Sequence, residues 1–315
     1  MMKIYFTFDP RPDLKEKVLK DFPDVEFIFH NSIDDGVLKE AEVVVTYGED
    51  IEARHIEVAE KLQWIMVASA GIEKMPQKEI AKRGIVVSNV RGIHKIPMAE
   101  SVLAHILAYK RGLVWIYEQE QKAEWSRKSK ASELHGSTAL LIGPGAIGSE
   151  IGRLLQAFGV HTIGCNRSGK SVDYMNDMIS FDALQNTLPK ADVVISVLPS
   201  TPDTLHLLKY EHFEAMKDSA LFMNFGRGDL VATDVLMNAL IEAEIAHAVL
   251  DVYEEEPLPS DHPFWQMTTV TVSPHVSSHS SRYMERSLEI FKPNLRKWLV
   301  GDNELINKMD ITKGY

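Results

Sequence analysis

Residues 138–142, Thr-Ala-Leu-Leu-Ile, form a run of buried-strand character that leads straight into Gly143-Pro144-Gly145-Ala146-Ile147-Gly148, and an apolar helical stretch follows at 147–158. A strand, a glycine turn and a helix in that order constrain the fold more than any other feature of this chain. The first glycine permits a tight turn, the second lets the backbone approach a diphosphate, and the third lets helix and strand pack closely. The diphosphate would then cap the helix N-terminus, where unpaired N–H groups point outward. A ligand-free βα turn and a methyltransferase loop share this spacing, so the residues downstream have to decide.

The same alternation of short apolar runs with helix-compatible stretches extends both ways along the chain, the pattern of parallel βαβ units. Strands are expected at 3–8, 25–29, 42–46, 64–68 and 85–88, with helices at 13–20, 51–60 and 77–82. A second series of strands is expected at 138–142, 160–165, 193–197, 220–224, 246–251 and 270–273. Between the two series a long helix starting near Pro97 would carry Val102, Leu103, Ile106, Leu107, Val114 and Tyr117 as one apolar stripe. A last helix, from Arg282, carries Leu288, Ile290, Phe291, Leu295 and Trp298 and is placed back on the first series. The fold class expected is α/β, with two Rossmann-like or flavodoxin-like parallel-sheet domains.

With 315 residues, 45% of them hydrophobic and 25% charged, the chain can bury a large core and reads as two domains. A formal net charge of -11 argues against a general nucleic-acid or acidic-membrane binder. The single Cys165 has no intrachain disulfide partner, the apolar start at 1–13 is too short for a signal peptide, and no run reaches membrane-spanning length. A cytoplasmic protein without a metal site is expected.

The end of the strand after the glycine turn separates two cofactors. A NAD site calls for an acidic residue roughly 20 residues beyond the glycines, to hold the ribose hydroxyls. Here the segment is Gly164-Cys165-Asn166-Arg167-Ser168-Gly169-Lys170, with Asn166 where the acid would stand. Arg167, Ser168 and Lys170 offer donors suited to a 2′-phosphate, which favours NADP over NAD, against the plainer reading of a solvated basic turn.

Three charged residues lie further on, each in a short motif: Arg227 in Asn224-Phe225-Gly226-Arg227-Gly228, Glu256 in Glu254-Glu255-Glu256-Pro257, and His275 in Ser273-Pro274-His275. A cation, a carboxylate and an imidazole are the set needed to hold a carboxylate substrate and pass a proton to its neighbouring carbonyl. Taken singly, Arg227 reads equally as half of an ion pair, Glu256 as part of a solvated acidic loop, and His275 as one of twelve histidines that include His105, His206 and His247. Their order behind a nucleotide motif is what joins them.

These motifs, together with Val67-Ala68-Ser69-Ala70-Gly71-Ile72-Glu73, Pro97-Met98-Ala99-Glu100, Leu134-His135-Gly136-Ser137 and Leu198-Pro199-Ser200-Thr201-Pro202-Asp203-Thr204, resemble the D-isomer-specific 2-hydroxyacid dehydrogenases over nearly the whole chain. Within that family the likeness is greatest to the short glyoxylate/hydroxypyruvate reductase type, on the Asn166-Arg167-Ser168 turn and the lack of a C-terminal extension. The resemblance implies a discontinuous substrate domain, residues 1–98 and 282–315, a NAD(P)-binding Rossmann domain at 99–281, an active site in the cleft between them, and a homodimer. It makes His275 the acid/base, Glu256 its partner carboxylate and Arg227 the substrate-binding cation, while Ala70 and Gly71 offer backbone amides to the substrate carboxylate. Gly143, Gly145, Ala146, Ile147 and Gly148 would meet the cofactor diphosphate and Asn166, Arg167 and Ser168 its adenosine end. Pro199, Thr204, Phe225 and Asp251 would line the dinucleotide cleft, with Asp251 receiving the nicotinamide carboxamide.

The expected reaction is reduction of a small 2-keto acid. Hydride arriving at the keto carbon leaves negative charge on oxygen, which an imidazolium at His275 neutralises and protonates. Glu256 beside it fixes the ring and favours its charged form, and the planar donors of Arg227 align the substrate. Glutamate at 256 argues against the formate dehydrogenase branch, which resembling chains fill with glutamine, and a chain end at Tyr315 argues against a feedback-regulated phosphoglycerate dehydrogenase. A non-catalytic dinucleotide-sensing protein is the rival from another class. Tyr47, Trp64, Met66 and Tyr283 are candidates for the substrate pocket by position, against the favoured reading of each as core or interface packing.

Overall fold

The computed structural model describes every residue except Ala70, Glu73, Lys130 and 312–315. The chain divides into two compact units, Met1–Ile93 with Ser280–Tyr315, and His94–His279.

The first unit contains a five-stranded sheet made of β1 (Met2–Phe6), β2 (Val25–Phe29), β3 (Val43–Thr46), β4 (Trp64–Val67) and β5 (Val86–Asn89). All neighbours are parallel and the order is β2-β1-β3-β4-β5, the flavodoxin-like winding. Alternation along the strands explains its two covered faces. Ile4, Phe6, Trp64 and Met66 face a cluster completed by Leu288, Phe291 and Leu295 of the helix Tyr283–Leu299, while Tyr5, Val44, Ile65 and Val67 face the opposite cluster.

The second unit contains seven parallel strands: β6 (Thr138–Ile142), β7 (His161–Asn166), β8 (Asp177–Ser180), β9 (Val193–Ser196), β10 (Leu221–Asn224), β11 (His247–Leu250) and β12 (Val270–Val272). Their order, β12-β11-β10-β9-β6-β7-β8, reverses direction at β6, so the glycine turn leaves the sheet at the switch point where such folds take ligands. The helix Ala146–Ala157 packs on the sheet through Gly148, Ile151, Gly152 and Leu155, an i, i+3, i+4, i+7 stripe.

One expectation about the elements is corrected. The long helix runs Lys95–Lys110 and then breaks at Gly112, whose backbone is left-handed, before a separate helix Leu113–Gln121. Val102 and Ile106 are buried as expected, but Val114 and Tyr117 are 60% and 56% exposed, because the break turns the second helix off the stripe. The edge strand β8 and the helix Asp35–Glu40 were not anticipated. β8 lacks any fully buried residue and so has no long apolar run to betray it. The six-residue helix holds Gly36 and is started by the Asp34 carboxylate, which accepts from the Val37 amide.

Candidate active site

Arg227, Glu256 and His275 leave the carboxyl ends of β10, β11 and β12, three consecutive strands of one sheet. The neighbouring loops touch through backbone. A Cβ at Gly228 would overlap the carbonyl group of Tyr253, and one at Gly226 would overlap the Leu198 carbonyl oxygen. The Gly-Arg-Gly sequence is therefore explained by close approach on both sides of Arg227, which itself is exposed. Its Nη1 donates to the Gly226 carbonyl at 2.9 Å.

Glu256 Oε2 lies 2.7 Å from His275 Nδ1, and Glu256 Oε1 accepts from the Tyr253 amide at 3.0 Å. One carboxylate thus fixes the imidazole and its own loop together, leaving the far ring nitrogen of His275 outside this pair. His275 has φ 54°, a left-handed backbone that a non-glycine residue adopts only where its neighbours impose it. The segment around it is held by Asp251. This 1%-exposed carboxylate accepts from Ser273 Oγ at 2.5 Å, Val276 N at 3.0 Å and Ser277 N at 3.2 Å, so it clasps the segment on both sides of His275. The Tyr253 hydroxyl, which burial pushes to a raised pKa, donates to the Leu250 carbonyl at 2.7 Å and accepts from the Ser273 amide at 3.1 Å. An apolar cavity of about 440 Å³ adjoins the pair, lined by Tyr253, Pro257, Leu258, Trp265, Val272 and Pro274 besides Glu256 and His275.

The rival histidines sit differently. His206 Nε2 is 3.0 Å from Glu254, but that carboxylate also accepts from the amide and hydroxyl of Thr233, both at 2.6 Å, and so caps the helix Thr233–Ile241. His105 is packed against Phe225, and His247 packs at a tilt on Tyr109 while its Nε2 lies 2.8 Å from Thr271 Oγ1.

The nucleotide motif has the shape that a diphosphate fits. Gly143 turns with φ 88°, and Gly145 and Ala146 are exposed at the start of the helix Ala146–Ala157, whose first N–H groups have no intrahelical acceptor. Around the expected adenosine end, Asn166 Oδ1 accepts from the Ser168 amide at 3.1 Å and Nδ2 donates to the Lys170 carbonyl at 2.9 Å, so its side chain shapes the turn. Arg167 is ion-paired with Asp203, a carboxylate in the loop after β9. Thr204 Oγ1 donates to the Pro199 carbonyl at 2.7 Å and accepts from the Thr201 amide at 2.9 Å, holding that loop, and Phe225 is buried.

In the first unit, Ala70 lies outside the described residues, and Gly71 sits in the loop after β4, its carbonyl accepting from Ser69 Oγ at 3.0 Å. Trp64 and Met66 belong to the core, where the Trp64 indole donates to Ser88 Oγ at 2.9 Å. Tyr283 donates to the Ala68 carbonyl at 2.7 Å, and Tyr47, 41% exposed, packs on Phe8. Sequence reasoning missed the holding residues Asn224, Asp203 and Ser273, although all three stood inside quoted motifs. Their short polar side chains signal nothing until the turn brings them to a partner. Among the described residues no cluster of His, Cys, Asp or Glu is arranged to hold a metal ion, and no helix is long and apolar enough to cross a membrane.

Comparison with known proteins places the chain in a family. Residues 103–277 match the family pattern described as D-isomer specific 2-hydroxyacid dehydrogenase, NAD binding domain. The glyoxylate reductase of Thermofilum pendens is 32% identical over 268 residues, 82% of this chain and 79% of that protein. The D-3-phosphoglycerate dehydrogenase of Methanocaldococcus jannaschii is 31% identical over 307 residues, 96% of this chain but 58% of that protein. A crystal structure of a D-isomer specific 2-hydroxyacid dehydrogenase family protein from Aeromonas salmonicida superposes with a TM-score of 0.84 at 29% identity, covering 98% of this chain and 99% of the other. The chain belongs to the D-isomer-specific 2-hydroxyacid dehydrogenase family of oxidoreductases and is similar, within it, to the glyoxylate reductases.

Proposed function

We propose that the protein reduces a small 2-keto acid, such as glyoxylate or hydroxypyruvate, to the D-2-hydroxy acid with NADPH in preference to NADH. The observation that carries this reading is the 2.7 Å contact between Glu256 Oε2 and His275 Nδ1, one strand-end away from an exposed Arg227. The bound nicotinamide supplies hydride. Arg227 holds the substrate carboxylate and adjacent oxygen in one plane, so that the keto carbon is aligned before reaction. His275, its Nδ1 held by Glu256, offers its other ring nitrogen to the keto oxygen and donates the proton as charge develops there. Gly143, Gly145, Ala146 and Ile147 receive the diphosphate, and Arg167 with Ser168 receives the 2′-phosphate. The absence of an acidic side chain at 166 supports that preference.

The same likeness to a D-3-phosphoglycerate dehydrogenase supports a second substrate class, a phosphorylated three-carbon acid. Absorbance loss of NADPH and NADH with glyoxylate, hydroxypyruvate, pyruvate and 3-phosphohydroxypyruvate separates the two. Turnover of the unphosphorylated acids with NADPH is expected, and no turnover with any of the four would sink the enzyme in favour of a dinucleotide-sensing protein. His275→Ala is expected to lower kcat at least a hundredfold with NADPH affinity within threefold of the parent. We further propose a homodimer in a reducing, cytoplasmic setting, supported by the apolar Val114, Tyr117 and Trp125 side chains that stand exposed around the helix Leu113–Gln121 and by the buried free thiol of Cys165.

A further inference from the structure

Asn224 ends β10, is 1% exposed, and has both ends of its side chain engaged. Oδ1 accepts from the Gly226 amide at 3.1 Å, and Nδ2 donates to the Arg227 carbonyl at 2.9 Å. Its own carbonyl accepts from the Asp251 amide at 3.0 Å, so the residue is pinned from the β11 side. A primary amide of this length can donate and accept at once across a three-residue turn, whereas aspartate lacks the donor and serine lacks the reach.

The segment it holds is the one on which Arg227 rests. The Gly226 carbonyl accepts from Arg227 Nη1, so the amide on one side of Gly226 is bound by Asn224 and the carbonyl on the other by the guanidinium. There is no slack to absorb an error, because Gly226 and Gly228 already touch the backbones of Leu198 and Tyr253. A shift of the turn would carry the guanidinium with it, and misplacement of an aligning group by even about 1 Å is costly to a reaction.

We propose that Asn224 is a positioning residue that acts through Arg227, setting the guanidinium where the substrate carboxylate docks. This rests on the assignment of Arg227 made above. The test is a double-mutant cycle in the holoenzyme with NADPH and glyoxylate: Asn224→Ala, Asn224→Asp, Arg227→Ala and the two doubles. Asn224→Asp keeps size and the Gly226 contact but turns a carboxylate oxygen towards the Arg227 carbonyl, and it is the arm to read if Asn224→Ala does not fold. Each Asn224 variant is expected to lower kcat/KM at least tenfold, mainly through KM, with NADPH affinity within twofold. In the Arg227→Ala background the same substitutions are expected to change kcat/KM less than twofold, since the group they act through is gone.

A full tenfold loss repeated in the Arg227→Ala background would overturn the inference, because Asn224 would then act by another route. So would an unchanged KM in a folded Asn224 variant. If Arg227→Ala itself leaves KM within threefold, the assignment of Arg227 fails and this inference falls with it. An impaired Arg227→Ala beside unimpaired Asn224 variants rejects only the inference.

Discussion

At the proposed adenosine end, Arg167 is itself held by an acidic side chain. Its guanidinium is paired with Asp203 across two loops, and both side chains are well exposed. An exposed pair of this kind is worth on the order of 0.2–1 kcal/mol, and a 2′-phosphate arriving at Arg167 meets the Asp203 charge as well as the cation. Asp203→Asn removes that charge and frees the guanidinium, so NADPH is expected to bind about two- to fivefold more tightly while NADH changes less than twofold. Fluorescence titration of both cofactors checks this, and an equal gain for NADH would remove Arg167 from the 2′-phosphate site. The residues proposed to bear the chemistry were legible as candidates because a long charged side chain in a loop has few structural uses. Asp203, Asn224 and Ser273 were not, because what they do depends on a partner that only the folded chain brings near, 36 residues away for Asp203 and 22 for Ser273.

Elements that are buried on both faces were the readable ones. β6, β9 and β10 are continuous apolar runs because helices cover the sheet on both sides, and the five expected strands of the first unit all fall on observed ones, with the half-buried edge strand β2 betrayed by its β-branched and aromatic residues. β8 at the sheet edge escaped, as did the break at Gly112, since a glycine inside an apolar helical pattern reads as tolerated until its backbone is seen to be left-handed. The element-scale consequence lies where the loops of β10 and β11 meet. Gly228→Ala puts a methyl group into the Tyr253 carbonyl, and the two loops must part. Destabilisation of about 1–3 kcal/mol is expected, measured as a lower urea midpoint, together with a fall in kcat/KM as Arg227 moves away from Glu256. Undiminished stability and activity would show that the loops tolerate separation.

Over the whole molecule, burial places several neutral imidazoles in the second unit. His94 and His105 have lowered pKa values through burial, and burial takes His247 down to about 4. An unfolded histidine titrates near ~6.5, so between that value and about 4 the unfolded chain binds a proton at His247 that the folded chain refuses. Stability is then complete above the unfolded value and is lost as pH falls towards the folded one. Urea unfolding at pH 7 and pH 4.5 is expected to show the loss, and His247→Asn is expected to recover about 1–3 kcal/mol of it. An identical acid-side loss in the variant would clear His247 of responsibility.

The strand order of the second sheet has a consequence for how such a protein can be altered. The turn assigned to the adenosine end leaves β7, on one flank of the glycine turn, and the three residues assigned to proton transfer and substrate capture leave β10 to β12, on the other. On those assignments, cofactor choice and reduction chemistry are separable traits. Exchanging the 166–170 turn to change the one, and editing the strand ends of β10 to β12 to change the other, should give effects whose free energies simply sum.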